Sequence, residues 1–164
     1  MNIRSATPTD ARSLADLIAC FQPALTLDPS GIGAEQYLAS VSEEAERRYL
    51  ESSRYTYFVT ESEGEITGFI AMRDRTHLFH LFVSADYQGQ GIARSLWCHA
   101  REHAAQTGAP SVFTVNSSLS AVVVYRRFGF VPSGAEVHTD GIAFLPMQLD
   151  LECDAALPVT PPSS

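Results

Sequence analysis

The spacing of apolar residues changes period along the chain and divides it into elements. Residues 3–6 fit a short first strand, and Thr9 or Asp10 stands where a cap would open a helix with Leu14, Leu17 and Ile18 on one face. Pro23, Pro29, Gly31 and Gly33 interrupt that pattern. From about residue 34 helical spacing resumes. Leu38, Val41, Ala45 and Tyr49 make an inward stripe, and Glu43, Glu44, Glu46, Arg47 and Arg48 are expected to face water.

From Tyr55 the period becomes two. Residues 55–59 are rich in β-formers, Glu63-Gly64 marks a turn, and residues 66–72 complete a hairpin. In residues 77–83 the alternation puts His77, Phe79, Leu81 and Val83 on one face and Leu78, His80 and Phe82 on the other, both largely apolar, as in a central strand. A helix follows from near Gly91 to Gly108, with Ile92, Leu96, Ala100 and Ala104 as its stripe and Pro110 beyond its end. Residues 111–115 read as a strand. Residues 118–128 are ambiguous, because Val122-Val123-Val124 favours a strand while the serine-rich start and Gly129 suit a capped helix. Strands over 130–138 and 142–149 flank an Asp140-Gly141 hairpin signal.

This order predicts one α/β (α+β) domain over residues 1–150 with about seven strands, followed by a proline-containing tail over 151–164 outside the fold. The 164-residue length suits a single core. A formal charge of −8 argues against a broad phosphate-binding surface, so nucleic acid is not an expected partner and cationic small molecules fit better. No stretch approaches the roughly 18 apolar residues of a membrane span, and no secretory segment is seen, which predicts a soluble cytoplasmic protein. Cys20, Cys98 and Cys153 are odd in number and far apart, so neither a disulfide framework nor a CxxC metal site is expected.

The chemistry is concentrated in Gln88-Gly89-Gln90-Gly91-Ile92-Ala93, where a buried strand turns tightly into a helix. Such a turn aims several backbone N–H groups and the positive end of the helix dipole at one point, an anion site. Glycines at 89 and 91 would leave room for phosphate, and Ala93 would let the helix pack closely. Two glycines alone also fit an ordinary βα turn. A GxxxxGK[ST] loop is missing, and GxGxxG fails at Arg94.

With the apolar triplet Leu81-Phe82-Val83 ahead of it, this turn resembles the [Gln/Arg]-x-x-Gly-x-[Gly/Ala] signature of the GNAT (Gcn5-related N-acetyltransferase) superfamily. Asn116, Ala121, Tyr125 and Gly129-Phe130 are similar to that family's second motif, and the opening Ile-Arg-x-Ala-x-x-x-Asp of residues 3–10 extends the likeness. The resemblance implies a central mixed, mostly antiparallel sheet flanked by about four helices, with a helix at Val122 to Val124, tertiary context overriding propensity.

It also implies an acyl-CoA-dependent N-acetyltransferase with acetyl-CoA as co-substrate and no metal. Backbone groups of Leu81, Phe82 and Val83 would pair with the pantetheine arm, one N–H there polarising the thioester carbonyl. Gln88, Gly89, Gln90, Gly91, Ile92, Ala93 and Arg94 would hold the pyrophosphate, and Asn116 would contact the arm. Tyr125 would donate a proton to the departing thiolate. Where many members carry a glutamate base on the central strand, this chain has His80, whose neutral imidazole can accept a proton directly or through water. The acceptor would be a small-molecule or peptide amine, shaped by residues 21–33 and 131–142. An edge strand near the end of the chain would suit a homodimer.

Two other readings carry different expectations. His99-Ala100-Arg101-Glu102-His103 matches the H-x-x-E-H zinc hydrolase pattern, though no distal acidic ligand is identifiable. A non-catalytic acetyl-CoA sensor would keep the fold without a competent acid and base, a reading the missing glutamate leaves open and Tyr125 opposes.

Overall fold

The computed structural model describes residues 2–151. Strand β1 (Asn2–Ser5) leads through a turn of 3₁₀ helix into α1 (Ala11–Cys20) and the short α2 (Gln22–Leu25). Helices α3 (Glu35–Ser40) and α4 (Glu43–Glu51) precede the meander of β2 (Tyr55–Ser62), β3 (Glu65–Arg73) and β4 (His77–Val83). Helix α5 (Ile92–Gln106) crosses to β5 (Val112–Ser118), and α6 (Val122–Arg127), β6 (Val131–Pro132), β7 (Val137–Thr139) and β8 (Ile142–Asp150) complete the described chain.

The strands form one sheet in the order β1-β2-β3-β4-β5-β8-β6, with β7 also paired to β8. Every pairing is antiparallel except β4 with β5. That parallel neighbour requires a long crossover, which α5 supplies. On one face, Leu96, Trp97 and Ala100 of α5 and Tyr125 of α6 pack against Phe58, Ile70, Leu78, Phe113 and Met147. On the other, Leu14 and Ile18 of α1 cover Tyr57, Val59, Phe69 and Ala71. Burying apolar area on both faces at about 25 cal/mol per Å² is the main term holding these layers together.

The mixed, mostly antiparallel sheet agrees with expectation, with eight strands among the described residues where about seven were predicted and six α-helices where about four were. The segment expected to be one strand over 130–138 forms two short ones, because residues 133–136 leave the sheet between β6 and β7. Helix α6 does form through the valine run: Tyr125 is buried at 5% exposure while Val123, at 57%, faces out. The tail predicted over 151–164 lies outside the described residues from position 152 onward.

Two departures shape the site. The helix expected from residue 34 breaks at Val41-Ser42, where Ser42 caps α4 by accepting from the Ala45 N–H at 3.2 Å. The restart rotates the next turns, and Glu46, expected to face water, is 0% exposed. On β4, Ala71 faces His80 and Met72 faces Leu78, so Phe79 is an extra residue, a β-bulge. The bulge inverts the alternation: Leu78 now packs with Leu81 and Val83, whereas Phe79 joins Phe82 on the α1/α4 side. The face assignment expected from strict alternation is corrected accordingly.

The start of the chain is pinned electrostatically. Arg4 donates to Asp10 at 2.9 and 3.0 Å and through Nε to Glu61 at 2.9 Å, tying β1 to the 3₁₀ turn and to β2. The guanidinium holds the Asp10 carboxyl below the usual carboxylate range.

Candidate functional site

Strands β4 and β5 pair only at His77 with Thr114 and Leu78 with Val115, then part. Past that point β4 stays paired to β3 through Leu81, Phe82 and Val83, but no strand among the described residues lies against its other edge. Two cavities of about 610 Å³ and 270 Å³ open at the parting. Both are lined by Leu25, Leu81, Phe82, Ser118, Ala121 and Tyr125, so they meet at one seam.

The larger cavity contains the glycine turn. Gly89 and Gly91 have φ of +79° and +81°, a left-handed backbone natural to glycine, and the space a Cβ would occupy at either is open. Gly91 is also the N-cap of the 15-residue α5, so the free N–H groups of that helix start here. Gln88 folds back and donates from Nε2 to the Val83 carbonyl at 3.0 Å, bracing the turn against the end of β4. Gly68 lies beneath: a Cβ there would come within 3.0 Å of the Phe82 carbonyl oxygen and 3.2 Å of Ile92, so only glycine lets β3, β4 and the start of α5 approach so closely.

Gln88, Gly89, Gly91, Ile92, Ala93 and Arg94 line this cavity, whereas Gln90 lines neither. Arg94 stacks over Phe128 at 5.6 Å and, like Arg127 across the same cavity, forms no ion pair with a described residue. Two arginines at one mouth of a chain carrying −8 overall concentrate positive potential where the helix dipole already favours an anion.

The smaller cavity holds His80 and Asn116, with Tyr37 and Phe144 on its walls. Asn116, expected at the cofactor arm, is exposed and lines this cavity instead of the larger one. His80 is 7% exposed, and its Nε2 lies 2.9 Å from Glu46 Oε1. The other carboxylate oxygen of Glu46 accepts from the Tyr57 hydroxyl at 2.6 Å. Burial, reinforced by the negative charge of Glu46, raises the Tyr57 hydroxyl far above its ordinary range and pushes Tyr37 up to about 12.

Tyr125 sits on the seam, packed edge-on against Phe128 and Phe130. Burial raises its hydroxyl above the ordinary tyrosine range, which keeps it protonated at neutral pH. No fully buried side-chain nitrogen or oxygen of a described residue lacks a hydrogen-bond partner, and neither the Tyr125 hydroxyl nor His80 Nδ1 makes such a bond. Both atoms therefore open onto cavity space.

The histidines of the H-x-x-E-H stretch pack edge-on against Phe58, with ring centroids 4.5 and 5.3 Å away. No group of three or more His, Cys, Asp or Glu that could hold a metal occurs among the described residues. Cys20 and Cys98 are exposed free thiols and line neither cavity.

Sequence reasoning missed Glu46, Tyr37 and Arg127. Glu46 is turned inward by the break capped at Ser42, which rotates the helix after it.

A sheet split between its two parallel strands, with a glycine turn and helix start at one opening and an aromatic-walled pocket at the other, offers two adjoining sites, one of them suited to an anion. The chain belongs to the acetyltransferase (GNAT) domain family, which matches residues 25–151. It is 32% identical over 104 residues to N-acetyltransferase family 8 member 3 of Rattus norvegicus, covering 57% of this chain and 46% of that protein. It is 31% identical over 99 residues to human N-acetyltransferase 8, covering 54% and 44%. The matches thus span less than half the length of these relatives.

Among solved structures, a GCN5-related N-acetyltransferase from Rhodopseudomonas palustris superposes with a TM-score of 0.70 at 21% identity, covering 92% of this chain and 95% of that one. The PaiA N-acetyltransferase of Thermoplasma acidophilum, in complex with coenzyme A, gives 0.68 at 15% identity, covering 91% and 98%. At these identities the likeness concerns the fold. No helix among the described residues is long and apolar enough to cross a membrane.

Proposed function

We propose that the chain moves the acetyl group of acetyl-CoA to a primary amine by direct attack in a ternary complex, with residues 1–150 acting as one transferase domain in the cytoplasm. The observation that carries this reading is the meeting of the two cavities at Tyr125, which gives one site to a long anionic thioester and another to its acceptor. The coenzyme A bound in the Thermoplasma relative supports the choice of thioester.

In this reading the pyrophosphate lies on residues 88–94, with Arg94 and Arg127 adding charge. The pantetheine arm pairs with the unpartnered edge of β4 at Leu81, Phe82 and Val83, and a backbone N–H there takes the developing oxyanion. Asn116 reaches the acyl end from the acceptor side. The amine enters the smaller cavity and its nitrogen bonds to the acetyl carbon. His80 Nδ1 accepts the proton the amine loses, and the C–S bond breaks.

Tyr125 then stabilises the departing sulfur. Its raised pKa makes full proton transfer to a thiolate of ordinary basicity, about 8.5, unfavourable. The hydroxyl therefore acts as a hydrogen-bond donor; coenzyme A leaves as the thiolate and takes its proton from solvent, while His80 releases to solvent the proton taken from the amine.

Calorimetric titration with acetyl-CoA tests the site. Micromolar binding is expected for the wild type, with a loss of about 100-fold, or ~2.8 kcal/mol, in Gly91→Glu. A side chain at φ +81° also costs roughly 1–2 kcal/mol of stability. Gly64→Glu, at φ +80° in open space outside both cavities, controls for that cost. Equal weakening in the two variants, or no binding by the wild type, would sink the proposal.

A further inference from the structure

We infer that Glu46 is a positioning residue for the acceptor side: its carboxylate fixes the His80 imidazole as the Nε2–H tautomer and leaves the Nδ1 lone pair facing the cavity. The inference rests on the acetyl-transfer reading for its purpose, but its geometry stands without it.

An ionised carboxylate only accepts. Glu46 Oε2 takes the Tyr57 hydroxyl at 2.6 Å, and Oε1 faces His80 Nε2 at 2.9 Å, so the proton of that contact belongs to the imidazole. A neutral histidine protonated at Nε2 has its acceptor at Nδ1, the nitrogen that makes no hydrogen bond and opens to the smaller cavity. The ring is also held sideways, with Phe79, Phe69, Phe82 and Tyr57 at centroid distances of 4.1 to 6.4 Å. A half-turn of the ring about Cβ–Cγ would put Cε1 where Nε2 meets Glu46 and lose this hydrogen bond.

Packing alone does not account for a carboxylate here. Glu46 is 0% exposed, and a buried ionised group is costly compared with an apolar side chain of similar volume. Leucine would fill the place under β2 without desolvating a charge. What leucine could not do is choose a tautomer. The arrangement also spans three distant segments, α4, β2 and β4, so the histidine on the split strand is oriented from the helical layer that walls the acceptor pocket.

The test is nitrogen NMR of protein carrying ¹⁵N-labelled histidine, with His80 assigned by subtraction against His80→Asn. At pH 7.5 the wild type is expected to show a protonated Nε2 and an unprotonated Nδ1. In Glu46→Gln the amide offers one donor and one acceptor, so the single tautomer is expected to give way to a mixture or to Nδ1–H. Tyr57→Phe, which spares the Glu46–His80 contact, is expected to keep the wild-type signal.

A wild-type His80 protonated at Nδ1, or at both nitrogens, would overturn the inference, as would an unchanged tautomer in Glu46→Gln. Because the wild-type spectrum decides by itself, poor folding of a variant does not blunt the test. Acetyl-CoA titration of the same samples separates the two claims. Failure to bind would remove the transfer reading and leave the tautomer assignment standing, whereas an inverted tautomer with intact binding would remove only the role of Glu46.

Discussion

The two cavities that meet at Tyr125 are built by opposite means. The larger one draws most of its binding groups from one continuous stretch, residues 81–94, with Arg127 across from it, and backbone geometry does most of the work: two left-handed glycines, a helix start and an unpaired strand edge. The smaller one is assembled from side chains of α3, β4, β5, α6 and β8, and behind it a glutamate of α4 fixes a histidine. A backbone site tolerates side-chain drift and suits a constant co-substrate. A side-chain site changes with each substitution and suits an acceptor that differs from one relative to the next.

That contrast predicts unequal effects of mutation. The largest is expected for His80→Ala, which should lower kcat by about 10²–10⁴ with any primary amine that is turned over, while leaving the affinity for acetyl-CoA within a few-fold. Equal loss of both would mean that the cavities are not separable. Next is Tyr125→Phe, which removes one hydrogen bond to a developing thiolate and should cost about 10- to 100-fold in kcat with little change in acetyl-CoA binding. An unaffected rate would remove Tyr125 from the chemistry.

On the cofactor side, Arg94→Ala and Arg127→Ala are each expected to weaken acetyl-CoA binding by only about 3-fold, because exposed charges contribute little beside fixed backbone donors. The loss should shrink further in high salt, which screens what remains. A 100-fold loss from either would show that side chains, not backbone, hold the phosphates.

The same contrast decides what could be read from the sequence. Helices and strands announced themselves by period, and the glycine turn was legible because its groups are neighbours in the chain. Arg4 and Asp10, six residues apart, turn out to be an ion pair at 2.9 Å, a physical reason for their place in the opening pattern. Glu46 was not legible. It stands among Glu43, Glu44, Arg47 and Arg48 in a run that reads as solvated, and only the break at Ser42 turns it inward toward a histidine 34 residues away. The bulge at Phe79 was equally hidden, because one extra residue in a strand leaves no mark on composition yet reverses the face of everything after it. Local geometry is written locally; a site made by long-range packing is not.

The most direct probe of the seam concerns His77. It stands on β4 at the first of the two contacts with β5, one residue before the strands part, with Nδ1 2.8 Å from Thr114 Oγ1. Burial, with a further contribution from Arg73, lowers its pKa to about 4 from an ordinary 6.5. The unfolded chain therefore binds this proton at a higher pH than the folded one, so stability rises with pH across that interval and is lost as pH falls from about 6.5 toward 4. With solvent screening allowed for, this group should account for about 1–2 kcal/mol of acid destabilisation. Urea unfolding at pH 7.5 and pH 4.5 measures it, compared with His77→Gln, in which the difference between the two pH values should shrink by that amount. The glycine turn of residues 88–93 contains no Asp, Glu or His, so mild acid should loosen the seam and the smaller cavity before it disturbs the larger one. A His77→Gln variant that kept the full wild-type acid sensitivity would place the weak point elsewhere and break the asymmetry between the two cavities.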